Sequence, residues 1–147
     1  MHLTGSRTFK APRQEVWNTL LSPDQLALCM PGCESFELVG PDEYLATMKI
    51  KVASIGGSFT GRIALVDKQE PASYGMRVEG NGKPGRANGA GTLQLEAVDG
   101  GTVVNYQGDV QIAGAIAAVG QRLLGVTAKM MIGKFFDCME NRLGRGA

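Results

Sequence analysis

Side chains that could act as nucleophiles, bases or metal ligands are few in this chain. The only histidine is His2, and it lies in a terminus that we expect to fray. Ser–His or Cys–His catalysis and histidine-based metal sites therefore lack a base or a ligand. We predict no catalytic residue, no metal site and no intrinsic cofactor.

The three cysteines are Cys29, Cys33 and Cys138. Cys29 and Cys33 are separated by three residues and have no second pair, so their spacing fits neither a zinc ribbon nor a C-x-x-C redox motif. An odd number of cysteines cannot form a closed disulfide framework, and the sequence shows no secretory signal. We therefore predict reduced thiols that pack as small buried residues.

One glycine-rich segment, residues 80–85, matches G-x-G-x-x-G by letter. A dinucleotide site requires that motif to follow a strand and to open a helix. Here Pro84 and another strand follow, so we predict a flexible hairpin loop at the mouth of a cavity. Lys83 and Arg86 in this loop are either solvated or in contact with lipid headgroups.

Composition narrows the classes of function further. Fifteen lysines and arginines are balanced by 14 aspartates and glutamates, and the net charge of +1 argues against nucleic-acid binding. The longest nonpolar run, residues 112–120, is far shorter than the roughly 18 residues of a spanning helix. Because no targeting segment is visible, we predict a cytoplasmic protein.

The spacing of apolar residues changes along the chain and predicts the elements. Residues 1–10 form a first strand, and Pro12 and Ser22 mark the starts of two short helices. From Cys33 the period is two over about eighty residues, which turn signals divide into six antiparallel strands. The residues after Ala113, to about Leu143, have a helical period and predict one long C-terminal helix.

This order predicts an α+β fold in which a curved seven-stranded antiparallel sheet wraps around the C-terminal helix, with residues 1–147 forming a single domain. Glycine makes up 21 of the 147 residues, about twice the usual share. Many residues that we expect to face the helix are small. Either a ligand or closer packing of sheet and helix must fill the space between them.

The inward-facing residues are candidate walls of a tunnel for an apolar ligand, because methionine and aromatic groups adapt to irregular shapes. The alternative for each is ordinary core packing. We expect Gly120→Phe to block the ligand and to leave the fold intact. Arg7 in the first strand is either an inward anchor for a polar head or an ion-paired residue. The candidate ligand-binding residues are Trp17, Met30, Met48, Phe59, Tyr74, Met76, Gly89, Tyr106, Ala117, Gly120, Leu124, Ala128, Met131 and Phe135.

Several short motifs occur along the chain in a characteristic order. They are Cys29-Met30-Pro31-Gly32-Cys33, Lys49-Ile50-Lys51-Val52, Phe59-Thr60-Gly61, Gly114-Ala115-Ile116-Ala117-Ala118-Val119-Gly120 and Phe135-Phe136. In this order they resemble the CoxG family of carbon monoxide dehydrogenase subunits. That family belongs to the START-like helix-grip (SRPBCC) superfamily of polyketide cyclase and lipid-transport proteins. The resemblance extends over nearly the whole chain, from Ala11-Pro12 to Leu143.

The resemblance implies a helix-grip domain with a non-catalytic accessory function. Such a protein binds a hydrophobic ligand, an isoprenoid quinone or a lipid, and assists a molybdenum hydroxylase of the CO dehydrogenase type at the inner face of the membrane. Many family members continue into a linker and a hydrophobic C-terminal anchor, whereas this sequence ends at Gly144-Arg145-Gly146-Ala147. We therefore expect transient membrane contact or soluble carriage of the ligand.

Two other functions remain open. Helix-grip relatives include cyclases and dehydratases that use a cavity carboxylate or tyrosine as acid or base, and Tyr74 and Tyr106 are the candidates here. A ligand-free interaction module, whose sheet or helix docks an enzyme, is the other alternative. A packed interior without a tunnel would favour the module.

Overall fold

A computed structural model describes residues 1–146, so that Ala147, the last residue of the predicted domain, lies outside the described residues. The strands are β1 (His2–Phe9), β2 (Cys33–Gly40), β3 (Glu43–Val52), β4 (Ile55–Gln69), β5 (Ser73–Gly82), β6 (Gly85–Val98) and β7 (Gly101–Ala113). The helices are α1 (Arg13–Leu21), α2 (Pro23–Cys29), a short 3₁₀ helix (Ala115–Val119) and α3 (Gln121–Gly146).

The strands form one antiparallel sheet in the order β1-β7-β6-β5-β4-β3-β2. Strands β2 to β7 follow one another as a meander, and β1 pairs with β7 at the far edge. The sheet curves around α3, and α1 and α2 follow β1 in the chain. The predicted α+β helix-grip architecture is confirmed.

Alternating burial along the strands shows which face of the sheet forms the interior. On β3, Ala46 and Val52 are buried, whereas Lys49 and Lys51 are more exposed. This period-two pattern is what a sheet with one solvated face produces. The inward face of β3 is therefore the one that the sequence predicts.

The core is divided into two clusters, one toward each end of α3. The larger cluster packs α1 and the C-terminal half of α3 against the sheet, and it includes Phe9, Val16, Trp17, Phe136 and Met139. The smaller cluster surrounds the start of α3 and consists of Val52, Phe59, Ile116 and Leu124. The region between the two clusters holds the site described below.

The second short helix begins as its sequence predicts. The Ser22 hydroxyl accepts a hydrogen bond from the Gln25 N–H at 3.4 Å, and Pro23 occupies the first helical position. Proline suits that position because its missing N–H would have no intrahelical partner. In α1, by contrast, Pro12 is the N-cap, with extended backbone, instead of the first helical residue.

The predicted single helix after Ala113 is wrong in its first residues, which form a separate short helix. Strand β7 continues to Ala113, and the 3₁₀ helix intervenes before α3 begins at Gln121. Gly114 and Gly120 flank the 3₁₀ helix at φ values of +92° and +95°, which glycine adopts readily because it has no Cβ. The Ile116 N–H donates to the Pro84 carbonyl at 2.8 Å, which holds this segment against the β5–β6 hairpin.

The glycine-rich segment at residues 80–85 forms the predicted hairpin, at the turn between β5 and β6. Gly82 pairs with Gly85 across a two-residue turn, and Pro84 in that turn is buried. A Cβ at Gly82 would lie 2.2 Å from the Ser58 carbonyl oxygen. The glycine therefore allows β4 to approach the hairpin closely, and no helix follows to hold a phosphate.

Candidate functional site

A cavity of about 330 Å³ lies between the inner face of the sheet and helices α1 to α3. Its walls are almost entirely apolar, and the only polar side chains among them belong to three tyrosines. The lining residues are Leu20, Leu26, Met30, Pro31, Phe36, Tyr44, Met48, Ile63, Leu65, Tyr74, Met76, Val78, Leu93, Tyr106, Met131, Ile132, Phe135 and Phe136.

A second apolar cavity, of about 220 Å³, continues the first toward the start of α3. The two cavities have five lining residues in common, which we call the shared wall: Met30, Met48, Ile63, Val78 and Met131. The lining of α3 runs from Leu124 in the second cavity to Phe135 in the first, or about 16 Å at 1.5 Å per residue. Together they form an elongated tunnel along the helix.

A third apolar cavity, also about 220 Å³, lies against β6 and β7. It has five lining residues in common with the first: Met76, Val78, Leu93, Tyr106 and Ile132. Gly91 and Gly108 face each other across this strand pair. A Cβ at Gly91 would lie 2.7 Å from the Gln107 carbonyl oxygen, and one at Gly108 would lie 3.1 Å from that of Ala90. Because these glycines have no side chain, β6 and β7 can approach each other closely, and space in the third cavity remains open.

Most predicted ligand-binding residues line the three cavities. Met30, Met48, Tyr74, Met76, Tyr106, Met131 and Phe135 line the first. Phe59, Leu124 and Ala128 line the second, and Gly89 lines the third. The structure thus brings eleven of the fourteen predicted residues to one continuous interior space.

The other three predicted residues lie elsewhere. Trp17 is buried behind the first cavity, where its ring packs edge-on against Tyr74 with centroids 5.3 Å apart. Ala117 is half-buried in the 3₁₀ helix. Gly120 is exposed, and a Cβ there would meet no atom within 4 Å. The prediction that Gly120→Phe fills the tunnel is therefore wrong, because the new side chain would point into solvent.

Sequence reasoning missed several lining residues, among them Phe36, Tyr44 and Phe136. Tyr44 is in phase with Ala46 on β3, so strand alternation carried the signal that could have found it. Phe136 follows Phe135 on α3 and lines the same cavity, and it is the more buried of the two. No local sequence pattern shows that both phenylalanines reach one cavity.

The tyrosines give the first cavity its only polar groups. The Tyr44 hydroxyl donates a hydrogen bond to the Leu21 carbonyl at 2.9 Å. Burial raises the pKa of Tyr74 far above its usual value, with a smaller contribution from Tyr44, and burial likewise raises the pKa of Tyr44. Both hydroxyls are therefore protonated at neutral pH.

Arg7 lies outside the tunnel and joins β1 to α3. Its guanidinium contacts the Asp137 carboxylate and lies 3.1 Å from Oε2 of Glu140. The hydrogen bond to Asp137 is the main reason that the pKa of Arg7 is raised. Of the two predicted roles for Arg7, the structure shows the ion pair.

His2 lies in β1, with Nδ1 2.9 Å from Oδ1 of Asp109, so the expectation of a frayed terminus is wrong.

Two of the cysteines form a disulfide bond, so the prediction of three reduced thiols is wrong. Cys29 at the end of α2 is joined to Cys138 on α3, with Cα atoms 5.4 Å apart. Cys33 is the free cysteine among the described residues, and burial raises the pKa of its thiol. The disulfide connects two helices at the side of the tunnel that Met30 lines.

The first half of α3 exposes an apolar surface. Leu123, Val126 and Met130 are 39%, 60% and 52% exposed, and their spacing of three and four residues places them on one helix face. We call these residues the α3 stripe. Exposed Arg122, Lys129 and Lys134 are on the same part of the helix, and residues 110–136 contain no aspartate or glutamate. None of the helices described for residues 1–146 combines the length and the apolar character needed to cross a membrane.

Comparisons with known proteins agree with this geometry. The chain is similar over 99% of its length to a conserved protein from Geobacillus kaustophilus, with 34% identity, 96% coverage of that chain and a TM-score of 0.94. It has the fold of a START superfamily protein from Mycobacterium smegmatis, with 8% identity, 99% coverage of both chains and a TM-score of 0.78. An uncharacterised protein from Rhizobium leguminosarum matches with 20% identity, 99% and 95% coverage and a TM-score of 0.74. A search of curated proteins by sequence found no match.

A family model supplies the assignment. The CoxG model, which describes a subunit of carbon monoxide dehydrogenase, matches residues 5–144. This range spans most of β1 through α3 and every lining residue of the three cavities except Met1 and Leu3. The chain therefore belongs to the CoxG family of carbon monoxide dehydrogenase subunits.

Proposed function

We propose that this protein is a non-catalytic carrier that holds one hydrophobic small molecule, an isoprenoid quinone or another lipid, in the tunnel between the sheet and α3. The observation that carries this proposal is the apolar tunnel itself. Burial of apolar surface contributes about 25 cal/mol per Å², or about 0.8 kcal/mol per methylene group. A chain of several methylene groups in the second cavity therefore gains substantial affinity without any polar contact.

The lining of the first cavity argues against the enzymatic alternative, and among the described residues Arg86 has the only charged side chain that lines the second cavity. Among the described residues that line the first cavity, none is an aspartate, glutamate, histidine, lysine or arginine. An efficient general acid or base has a pKa near the operating pH, whereas burial shifts the pKa of Tyr74 in the opposite direction. We therefore favour binding over catalysis.

The apolar cavities between the sheet and α3 also argue against the ligand-free interaction module. Native interiors are close-packed, and an unfilled apolar space loses the contacts that stabilise its walls. The module predicts a filled interior, whereas the walls here enclose cavities of about 330 and 220 Å³.

The membrane is the source and destination that we propose for the ligand. The α3 stripe would lie at the boundary between headgroups and acyl chains, while Arg122, Lys129 and Lys134 would face anionic headgroups. On the opposite face of the same helix segment, Leu124, Ala128 and Met131 line the tunnel. A ligand that leaves the bilayer would therefore need to pass only this segment.

The partner that we propose is a molybdenum hydroxylase of the CO dehydrogenase type, and the family assignment supports this choice. The protein would contact that enzyme and the inner face of the membrane in turn. Binding to a purified CO dehydrogenase of this type, measured by biolayer interferometry with and without ligand, tests the partnership. No measurable association in either state would contradict it.

The carrier function itself is tested by organic extraction of the purified protein and mass spectrometry of the extract. Native mass spectrometry of the intact protein gives the stoichiometry. We expect one quinone or lipid for each chain. A protein that is purified empty and that also fails to bind added quinone would favour the interaction module.

A further inference from the structure

The three tyrosine hydroxyls of the first cavity differ in their hydrogen-bond partners. Tyr44 donates to the Leu21 carbonyl at 2.9 Å. The Tyr106 hydroxyl has no hydrogen-bond partner among the described residues, but Tyr106 is only half-buried, and its oxygen lies against the β1 backbone, 2.3 Å from where a Cβ at Gly5 would be. The Tyr74 hydroxyl has no hydrogen-bond partner among the residues that the structure describes.

Tyr74 is nevertheless deeply buried. It is 4% exposed, and the edge-on contact with Trp17 covers its ring on the side of α1. Within the described part of the chain, every side-chain nitrogen or oxygen atom that is fully sealed in the interior has a hydrogen-bond partner. The Tyr74 oxygen has none, so it borders the cavity that this residue lines.

A buried hydroxyl without a partner is destabilising, and native proteins satisfy nearly all such groups. A ligand in the first cavity can supply the missing acceptor. We propose that the Tyr74 hydroxyl is the polar anchor of the tunnel and that it donates a hydrogen bond to an uncharged carbonyl oxygen at the head of the apolar ligand. This inference rests on the proposed carrier function.

The surroundings of Tyr74 select the class of head group. A carboxylate would be costly to bury, because the first cavity offers no cation among its lining residues. An alcohol would bring its own O–H donor, which would then need a second acceptor. A ketone, ester or quinone carbonyl only accepts, so that one hydrogen bond satisfies both partners.

The anchor also sets the direction of the ligand. Tyr74 lines the first cavity and not the second. With its carbonyl at Tyr74, an elongated ligand would extend past the shared wall toward Leu124 and the start of α3. The polar head would lie deep, and the tail would point toward the segment that carries the α3 stripe.

Three ring compounds of similar size show how much a carbonyl group contributes to the binding affinity. They are 2-methyl-1,4-naphthoquinone, 2-methylnaphthalene and 2-naphthoate. Their dissociation constants are measured by calorimetry for the wild type, for Tyr74→Phe and for the control Tyr106→Phe. The control removes a hydroxyl from the same cavity. Binding of 2-methylnaphthalene, which has no polar group, reports whether each variant keeps an intact tunnel.

We expect Tyr74→Phe to bind the naphthoquinone about three- to tenfold more weakly than the wild type, because one hydrogen bond is lost. The same variant should bind 2-methylnaphthalene as the wild type does. Tyr106→Phe should weaken binding of the naphthoquinone less than Tyr74→Phe does, and 2-naphthoate should bind more weakly than the quinone to the wild type. An unchanged quinone affinity in Tyr74→Phe, or a larger loss in Tyr106→Phe than in Tyr74→Phe, would overturn the anchor while the carrier function stands. Failure of the wild type to bind 2-methylnaphthalene would overturn the carrier function itself.

Discussion

Cys29 and Cys138 are 109 residues apart in sequence, yet their disulfide bond joins α2 directly to α3. Cross-links that enclose long loops restrict the unfolded chain most, and they typically contribute about 2–4 kcal/mol to stability. We predict that the double variant Cys29→Ser, Cys138→Ser lowers the free energy of unfolding by about 2–4 kcal/mol. Urea denaturation followed by Trp17 fluorescence measures this loss.

The third cysteine provides the matched control for that experiment. Cys33→Ser removes a free thiol and should change the unfolding free energy by less than about 1 kcal/mol. A reductant should reproduce the effect of the double variant in the wild type. Three titratable thiols in the protein purified without reductant would contradict the disulfide.

The tunnel should be blocked from the α3 side by a bulky residue at position 128. Ala128 is half-buried and lines the second cavity, so the ring of Ala128→Phe would occupy the space that we assign to the ligand tail. We predict at least about a tenfold loss of affinity for a decyl-substituted quinone, equivalent to about 1.4 kcal/mol. Quenching of Trp17 fluorescence by the quinone measures the binding.

Two controls accompany the Ala128 variant. Ala118 is exposed in the 3₁₀ helix, so Ala118→Phe should keep full affinity, although it adds the same side chain. The Ala128 variant should still bind 2-methylnaphthalene, which fits the first cavity alone. Full affinity for the decyl quinone in Ala128→Phe would place the tail elsewhere.

If the α3 stripe contacts the membrane, binding to vesicles should depend both on the apolar side chains of the stripe and on the basic residues beside it. Val126→Glu with Met130→Glu should abolish binding to vesicles that contain phosphatidylglycerol. Lys129→Glu should weaken it by about fivefold or more, because each basic residue near an anionic surface contributes about 1 kcal/mol. Flotation of the protein with vesicles on a sucrose gradient measures the bound fraction.

The exposed side chain of Leu38 on β2 supplies the control for this surface. Leu38→Glu removes an exposed apolar residue outside α3 and should leave vesicle binding unchanged. Binding of the wild type should also weaken as salt rises, because exposed charges are screened. Equal binding to neutral and anionic vesicles would argue against the basic residues.

The buried Tyr74 hydroxyl links stability to alkaline pH. Its pKa is raised in the folded protein, so the folded state retains this proton where the unfolded chain, with a tyrosine pKa of about 10, loses it. The stabilising effect is complete below about pH 10 and is lost as the pH rises above that value. Tyr74→Phe should therefore reduce the slope of unfolding free energy against pH above about pH 10 by up to about 1.4 kcal/mol per pH unit.

Urea denaturation at several pH values from about 8 to about 11 gives the slope of unfolding free energy against pH for the wild type and for Tyr74→Phe. Tyr44 has a pKa raised by burial as well, so the variant should retain part of the decline. Identical slopes for wild type and Tyr74→Phe would show that the pKa of Tyr74 is the same in the folded and the unfolded protein.

The sequence predicts the sheet well because a strand with one buried face shows an alternation of apolar and polar residues over a few neighbouring positions. Ala46, Val52 and Phe59 are buried, and the lysines between them on β3 are more exposed, as period-two alternation requires. The capping of α2 by Ser22 is similarly local. Within the site, this alternation places Met48, Tyr74 and Met76 on the inner face, where the structure has them.

What the sequence does not reveal depends on contacts between distant segments. Cys29 and Cys138 meet only because α2 packs on α3, and no count of cysteines shows that. Gly120 continues the helical spacing of apolar residues, but its positive φ belongs to the bend that follows the 3₁₀ helix, so its face is set by backbone geometry. The hairpin at residues 80–85 packs closely against β4 and β7, which its own glycines do not predict.

The shared wall has a chemical vulnerability that follows from its composition. Three of its five members, Met30, Met48 and Met131, are methionines, whose flexible thioethers suit ligands of varied shape. Oxidation converts a methionine into a polar sulfoxide and disrupts apolar contacts. The residues that let the tunnel adapt to its ligand therefore also expose it to peroxide damage, and an occupying ligand would shield these sulfur atoms from oxidants.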